Sequence, residues 1–86
     1  MIPLISEPTR VYALDDAGKL VAEITFPLKE PNVYCIVHTF VDTSLRGQGM
    51  ADRLVRAALE QIRANGGTPV ATCSYASAWL EKHPHL

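Results

Sequence analysis

The hydrophobic positions change their spacing as the chain proceeds. Over residues 19–26 they alternate, with Leu20, Ala22, Ile24 and Phe26 on one face and Val21, Glu23 and Thr25 on the other. That period of two predicts a half-buried strand. Residues 10–14 predict a short strand before it, and Asp15-Asp16-Ala17-Gly18 forms the turn between them. Two prolines and two charges then interrupt the pattern over residues 27–31. Residues 32–42 predict a central strand covered on both sides, because Val33, Cys35, Val37, Thr39 and Val41 face one way and Tyr34, Ile36, His38 and Phe40 the other.

From residue 48 to 64 the spacing becomes helical. Ala51, Leu54, Val55, Ala58, Leu59 and Ile62 make an apolar stripe, opposite Asp52, Arg53, Arg56, Glu60 and Arg63. Asn65-Gly66-Gly67 is a helix stop, since these residues tolerate left-handed backbone angles. A strand is predicted over residues 68–74 and a short helix over 75–82, ended by Pro84. The pattern describes an α+β chain: three antiparallel strands, a long helix, a fourth strand parallel to the third through a right-handed crossover, and a short C-terminal helix. It is read as a single domain, 1–86.

Composition narrows the function classes. The chain has 86 residues, 48% of them hydrophobic, and a formal net charge of −1. No basic block points to nucleic acid as a partner, and no apolar run approaches the roughly 20 residues of a membrane span. The first residues lack the basic flank of a secretory signal, so the expected location is the cytosol. Cys35 and Cys73 match no zinc or CxxC spacing, and of three histidines two, His83 and His85, lie in the tail. No metal site is expected. The two cysteines permit one disulfide, although a cytosolic chain keeps both reduced.

The stretch that carries chemistry is Val41-Asp42-Thr43-Ser44-Leu45-Arg46-Gly47-Gln48-Gly49-Met50-Ala51. A buried strand ends, a turn with two glycines follows, and an amphipathic helix begins. Such a helix start presents free backbone N–H groups and the positive end of the macrodipole. Glycines let a bulky anion approach, and Arg46 adds a permanent charge. The spacing is neither a Walker loop nor a dinucleotide fingerprint. Physics alone names an anion site, with a plain packing turn as the alternative.

Arg46-Gly47-Gln48-Gly49-Met50-Ala51 resembles the R/Q-x-x-G-x-G/A signature of the GCN5-related N-acetyltransferase superfamily. The order His38-Thr39-Phe40-Val41, Arg-Gly turn, helix, Cys73-Ser74-Tyr75 and Lys82-His83-Pro84 is similar to its smallest members. The resemblance spans residues 10–85. It implies that the third and fourth strands splay and that acetyl-coenzyme A enters between them. The pantetheine arm would meet the backbone of Thr39, Phe40 and Val41, and the pyrophosphate the amides of Gly47, Gln48, Gly49, Met50 and Ala51, with Arg46 shaping the turn or neutralising charge. The chain departs from the small members in carrying Phe40 where they often have Glu, and Ala71 where they often have Pro.

Acetyl transfer to an amine needs a nucleophile, a proton acceptor and stabilisation of the developing oxyanion. Cys73 precedes a helix, a place that raises the thiolate fraction, and the resemblance marks it as a candidate nucleophile. Its alternative is a small buried hydrophobe, the role expected of Cys35. His38 is a candidate general base, or else a hydrogen-bonded core histidine. Tyr75 is a candidate acid for the departing thiolate, or else a core aromatic. The function expected is N-acetyl transfer to a small-molecule or protein amine; the alternative is a coenzyme A-binding or regulatory module. A chain this short is expected to have an open acceptor site or to borrow its walls from a partner, whether a second copy or another protein.

Overall fold

The structure is a computed structural model that describes residues 2–84. His85 and the first residue, named above, lie outside the described residues. Seven strands and two helices follow one another: β1 (Ile5–Glu7), β2 (Arg10–Leu14), β3 (Leu20–Thr25), β4 (Leu28–Glu30), β5 (Val33–Ile36), β6 (His38–Val41), α1 (Met50–Ala64), β7 (Thr68–Ala71) and α2 (Ser74–Lys82), with a 3-10 turn over Thr43–Leu45.

The strand expected over residues 32–42 is divided at Val37. Its first half, β5, pairs antiparallel with β4 and parallel with β7. Its second half, β6, pairs antiparallel with β3. The sheets therefore run β1-β2-β3-β6 and β4-β5-β7. The break is a bulge. Thr25 is opposite His38 in the register, yet its carbonyl also accepts the Val37 N–H at 3.1 Å. Two residues facing one bend a strand and raise its twist, and here the bend delivers the chain from one sheet to the other.

The meander of the second, third and sixth strands agrees with the antiparallel expectation, and β7 lies parallel to β5. Two strands escaped the pattern. All three residues of β1 are exposed, and so are those of β4, so neither shows a period. The strand expected over residues 68–74 ends at Ala71, because the next two N–H groups, of Thr72 and Cys73, both turn onto the Ile36 carbonyl at 3.0 and 3.1 Å. The last helix starts one residue earlier than expected, at Ser74.

One hydrophobic core holds the parts together. Leu54, Val55, Ala58 and Ile62 of α1 pack on Val11, Ala13, Ala22 and Ile24 of the first sheet, and Ile36, Ala76 and Trp79 join from the second sheet and α2. The opposite face of the first sheet carries polar pairs instead: Arg10 Nε donates to Glu23 at 2.5 Å, and the guanidinium lies over the Tyr12 ring at 3.9 Å. No helix among the described residues is long and apolar enough to cross a membrane.

Ile36 serves both as a fully buried side chain and as the carbonyl that ends β7. Ile36→Ala should cost about 2–5 kcal/mol of stability through the cavity it leaves, read as a lower urea midpoint at unchanged slope.

Candidate functional site

The site forms where β6 diverges from β5 and β7 of the second sheet. β6 is the last strand of the first sheet, so one of its edges has no neighbour strand. Asp42 N–H donates to the Val21 carbonyl at 2.8 Å. Antiparallel pairing alternates, so the main-chain groups of Phe40 face β3 while those of Thr39 and Val41 point to the free edge. The Val41 carbonyl is met there by Arg46 Nε at 3.3 Å. Of the three residues expected to offer backbone to a pantetheine arm, Thr39 and Val41 present main-chain groups at this edge, and Phe40 turns its own to β3.

Beyond β6 the chain turns through a braced loop. Asp42 Oδ2 accepts from the amide and hydroxyl of Ser44 at 3.1 and 2.6 Å, and Gln48 Nε2 donates to the Ser44 carbonyl at 3.2 Å. The Ser44 bonds, and then Lys19 nearby, hold the Asp42 carboxyl below the usual carboxylate range. Gly47 and Gly49 have φ of 80° and 75°, the left-handed region that other residues enter at a cost. At both, the space a side chain would fill is open. Gly49 opens α1 without a side-chain cap. The N–H groups of Gly47, Gln48, Gly49, Met50, Ala51 and Asp52 meet no acceptor among the described residues. All of these residues but Gln48 edge a depression of about 170 Å³ lined by Val41, Arg46, Gly47, Gly49, Ala51 and Tyr75, with Leu45, Met50 and Asp52 completing the wall.

Cys73 is the residue before α2 and occupies its N-cap position. Its Sγ lies 3.5 Å from Thr39 Oγ1, a side-chain hydrogen bond across the gap between β6 and the end of β7. Partial burial pushes the thiol up, but the amide of Ala76, the Thr39 hydroxyl and the amides of Tyr75 and Thr39 outweigh it, and the net shift is downward. Cys35 is buried, with its Sγ 3.8 Å from Thr72 Oγ1; both cysteines are free.

Tyr75 is 43% exposed and lines the depression, so it is not a core aromatic. Burial and the field of Asp52 push its hydroxyl up, keeping it a phenol. His38 is not a core histidine either. Its side chain is 55% exposed, 3.9 Å from Glu23, on the face of β6 opposite Thr39. The structure brings Val41, the glycine turn and Tyr75 to one depression and Cys73 to Thr39, and it sets His38 apart from them. Three contributors went unread: Asp42 as the brace, and Asp52 with Trp79 between the helices. The Asp-Thr-Ser run at 42–44 is a known turn signal, so the first was findable. Among the described residues no three His, Cys, Asp or Glu side chains are grouped to hold a metal ion.

A strand that parts from its neighbour beside a glycine turn at a helix start is the architecture of coenzyme A-dependent acyltransferases. Within that class the chain belongs to the GCN5-related N-acetyltransferase family, whose model matches residues 10–86. It is similar to a GCN5-like protein from Staphylococcus aureus solved by NMR, with 34% identity over 95% of this chain and 80% of that one, and a TM-score of 0.75. It also resembles a GNAT family N-acetyltransferase from Escherichia coli crystallised with CoA, at 25% identity over 72% of this chain and 38% of the other, TM-score 0.64. A ribosomal-protein-alanine N-acetyltransferase from Brucella melitensis shares the fold at 22% identity over 85% of this chain and 60% of that one, TM-score 0.62. No curated protein matches the chain.

The thiol geometry gives a direct test. Cys73 should be alkylated by iodoacetamide with a pH midpoint below that of a free cysteine, while native Cys35 stays protected. Thr39→Val should move the Cys73 midpoint upward, because a donor to the thiolate is lost. Site-resolved mass spectrometry across pH reads both.

Proposed function

We propose that the chain is an acetyl-coenzyme A-dependent N-acetyltransferase acting on an amine. The observation that carries this reading is the row of six free amides from Gly47 to Asp52, open at both glycines and next to the unpaired edge of β6. Donors bordering one small depression at a helix start suit a diphosphate. Arg46 orders the turn through Val41 and leaves its charge at the rim. The free-edge groups of Thr39 and Val41 hold an amide-bearing arm, as a missing strand would.

When bound, acetyl-coenzyme A supplies an acetyl group activated as a thioester. Cys73 stands at the far end of the gap as the nucleophile for it. Its Sγ would form the new bond to the acetyl carbon, and Tyr75 would give the hydroxyl proton to the departing sulfur. The acceptor nitrogen then takes the acetyl group from Cys73, which returns as thiolate, and the nitrogen's proton restores Tyr75. His38 faces the other side of β6 and acts, in this reading, on the acceptor before attack. The acceptor is a small-molecule or protein amine, and a second copy or another protein supplies the remaining walls of its pocket. A cytosolic location accords with this chemistry.

The family resemblance also favours a second reading from one residue. Phe40 stands where small relatives often carry Glu, which leaves a coenzyme A-binding module without chemistry as the alternative.

Calorimetry with coenzyme A tests the site, and inorganic pyrophosphate should compete. Gly49→Glu should weaken binding more than about tenfold, since a carboxylate would occupy the open space and repel the diphosphate. Unchanged affinity in that variant refutes the placement. Intact-mass measurement after acetyl-coenzyme A treatment should show an acetyl adduct that Cys73→Ala abolishes. Binding with neither adduct nor acetylated amine selects the second reading.

A further inference from the structure

Asp52 is an awkward residue for an anion site. It lies in the first turn of α1 and forms part of the wall of the depression. A carboxylate there favours the helix dipole, yet it opposes a diphosphate bound at the same amides. The structure directs it elsewhere. Its Oδ1 accepts the Trp79 indole N–H at 2.7 Å, and its Oδ2 accepts from Arg56 Nε at 2.8 Å. The Arg56 pair is an exposed i,i+4 contact and contributes little by itself. The indole bond is different, because it joins α1 to α2 and its donor is only 5% exposed.

Trp79 is itself held from several sides. The Arg56 guanidinium lies 5.2 Å from its ring. His83 stacks on it with centroids 3.9 Å apart and 17° between the planes. His83 Nδ1 is 2.8 Å from the Trp79 carbonyl, which ties the end of α2 to the same ring. The indole therefore has little freedom to release Asp52.

We propose that Trp79 is a positioning residue for the cofactor turn: it draws the Asp52 carboxylate toward α2 and away from the diphosphate, so the seating of the C-terminal helix sets affinity for coenzyme A. This rests on the cofactor reading above. The two helices are then coupled through one charge. Loosening α2 frees a carboxylate at the mouth of the anion site, and an incoming diphosphate favours the seated helix in return.

A double-mutant comparison separates this role from mere packing. Trp79→Phe keeps a ring but removes the N–H, and it should weaken coenzyme A binding about tenfold, with the deficit shrinking as salt is raised. Asp52→Asn in the Trp79→Phe background should restore affinity to within about twofold of wild type, because no charge remains to be held aside. Thermal unfolding identifies which variants are folded; should Trp79→Phe unfold, Trp79→Tyr carries the same comparison. A loss that persists in the double variant, or Trp79→Phe binding as tightly as wild type, overturns the proposal while leaving the cofactor reading intact. Wild-type protein that fails to bind coenzyme A overturns both.

Discussion

Main-chain hydrogen bonding across residues 33–41 changes partner at Val37, and the site depends on that change. A strand that stayed in one sheet would have spent both edges on neighbours. By bending at Val37, the segment gives β5 to β7 and β6 to β3, and leaves one edge of β6 without a strand. Backbone donors and acceptors are costly to leave unmet away from water, so an unpaired edge inside a fold needs solvent or a ligand. The same accounting applies to the turn that follows, where six successive amides lack an internal acceptor. These two unpaired stretches lie on either side of Val41, within one short segment of chain.

What the sequence showed and what it hid have physical reasons. The long helix and its glycine turn were legible because apolar residues recur at helical spacing over fifteen residues and Gly47 and Gly49 stand at a helix start. The bulge was invisible. Val33 to Val41 reads as one two-faced apolar run, and periodicity records which face a side chain takes, not which neighbour its backbone meets. β1 and β4 have three residues each, all exposed, so there was no alternation to find. His38 looked interior because it alternates with Tyr34, Ile36 and Phe40. On the outer face of the first sheet the residue lies beside Glu23, with more than half of its side chain in solvent. Asp52 had an ordinary reading on a charged helix face, and only the docking of two helices brings it to Trp79.

The energetic arrangement follows from size. A chain this small buries a modest core, and its core is shared by both sheets and both helices. The groups of the candidate site are fixed by short-range polar contacts at element ends: Asp42 and Gln48 on Ser44, Arg46 on Val41, the amides of Tyr75 and Ala76 on Cys73. Each uses a main-chain group that a strand or helix end leaves spare.

Cys73 and His38 stand on opposite faces of β6, and this constrains any mechanism that uses both. The Thr39 side chain points toward the thiol, so the adjacent His38 side chain points away from it. Direct proton transfer from Cys73 to His38 would have to pass the strand. The thiol does not require it, because helix-end amides and the Thr39 hydroxyl already favour its charged form. The fold therefore favours a charged Cys73 without help from the histidine, which stands beside Glu23 on the outer face.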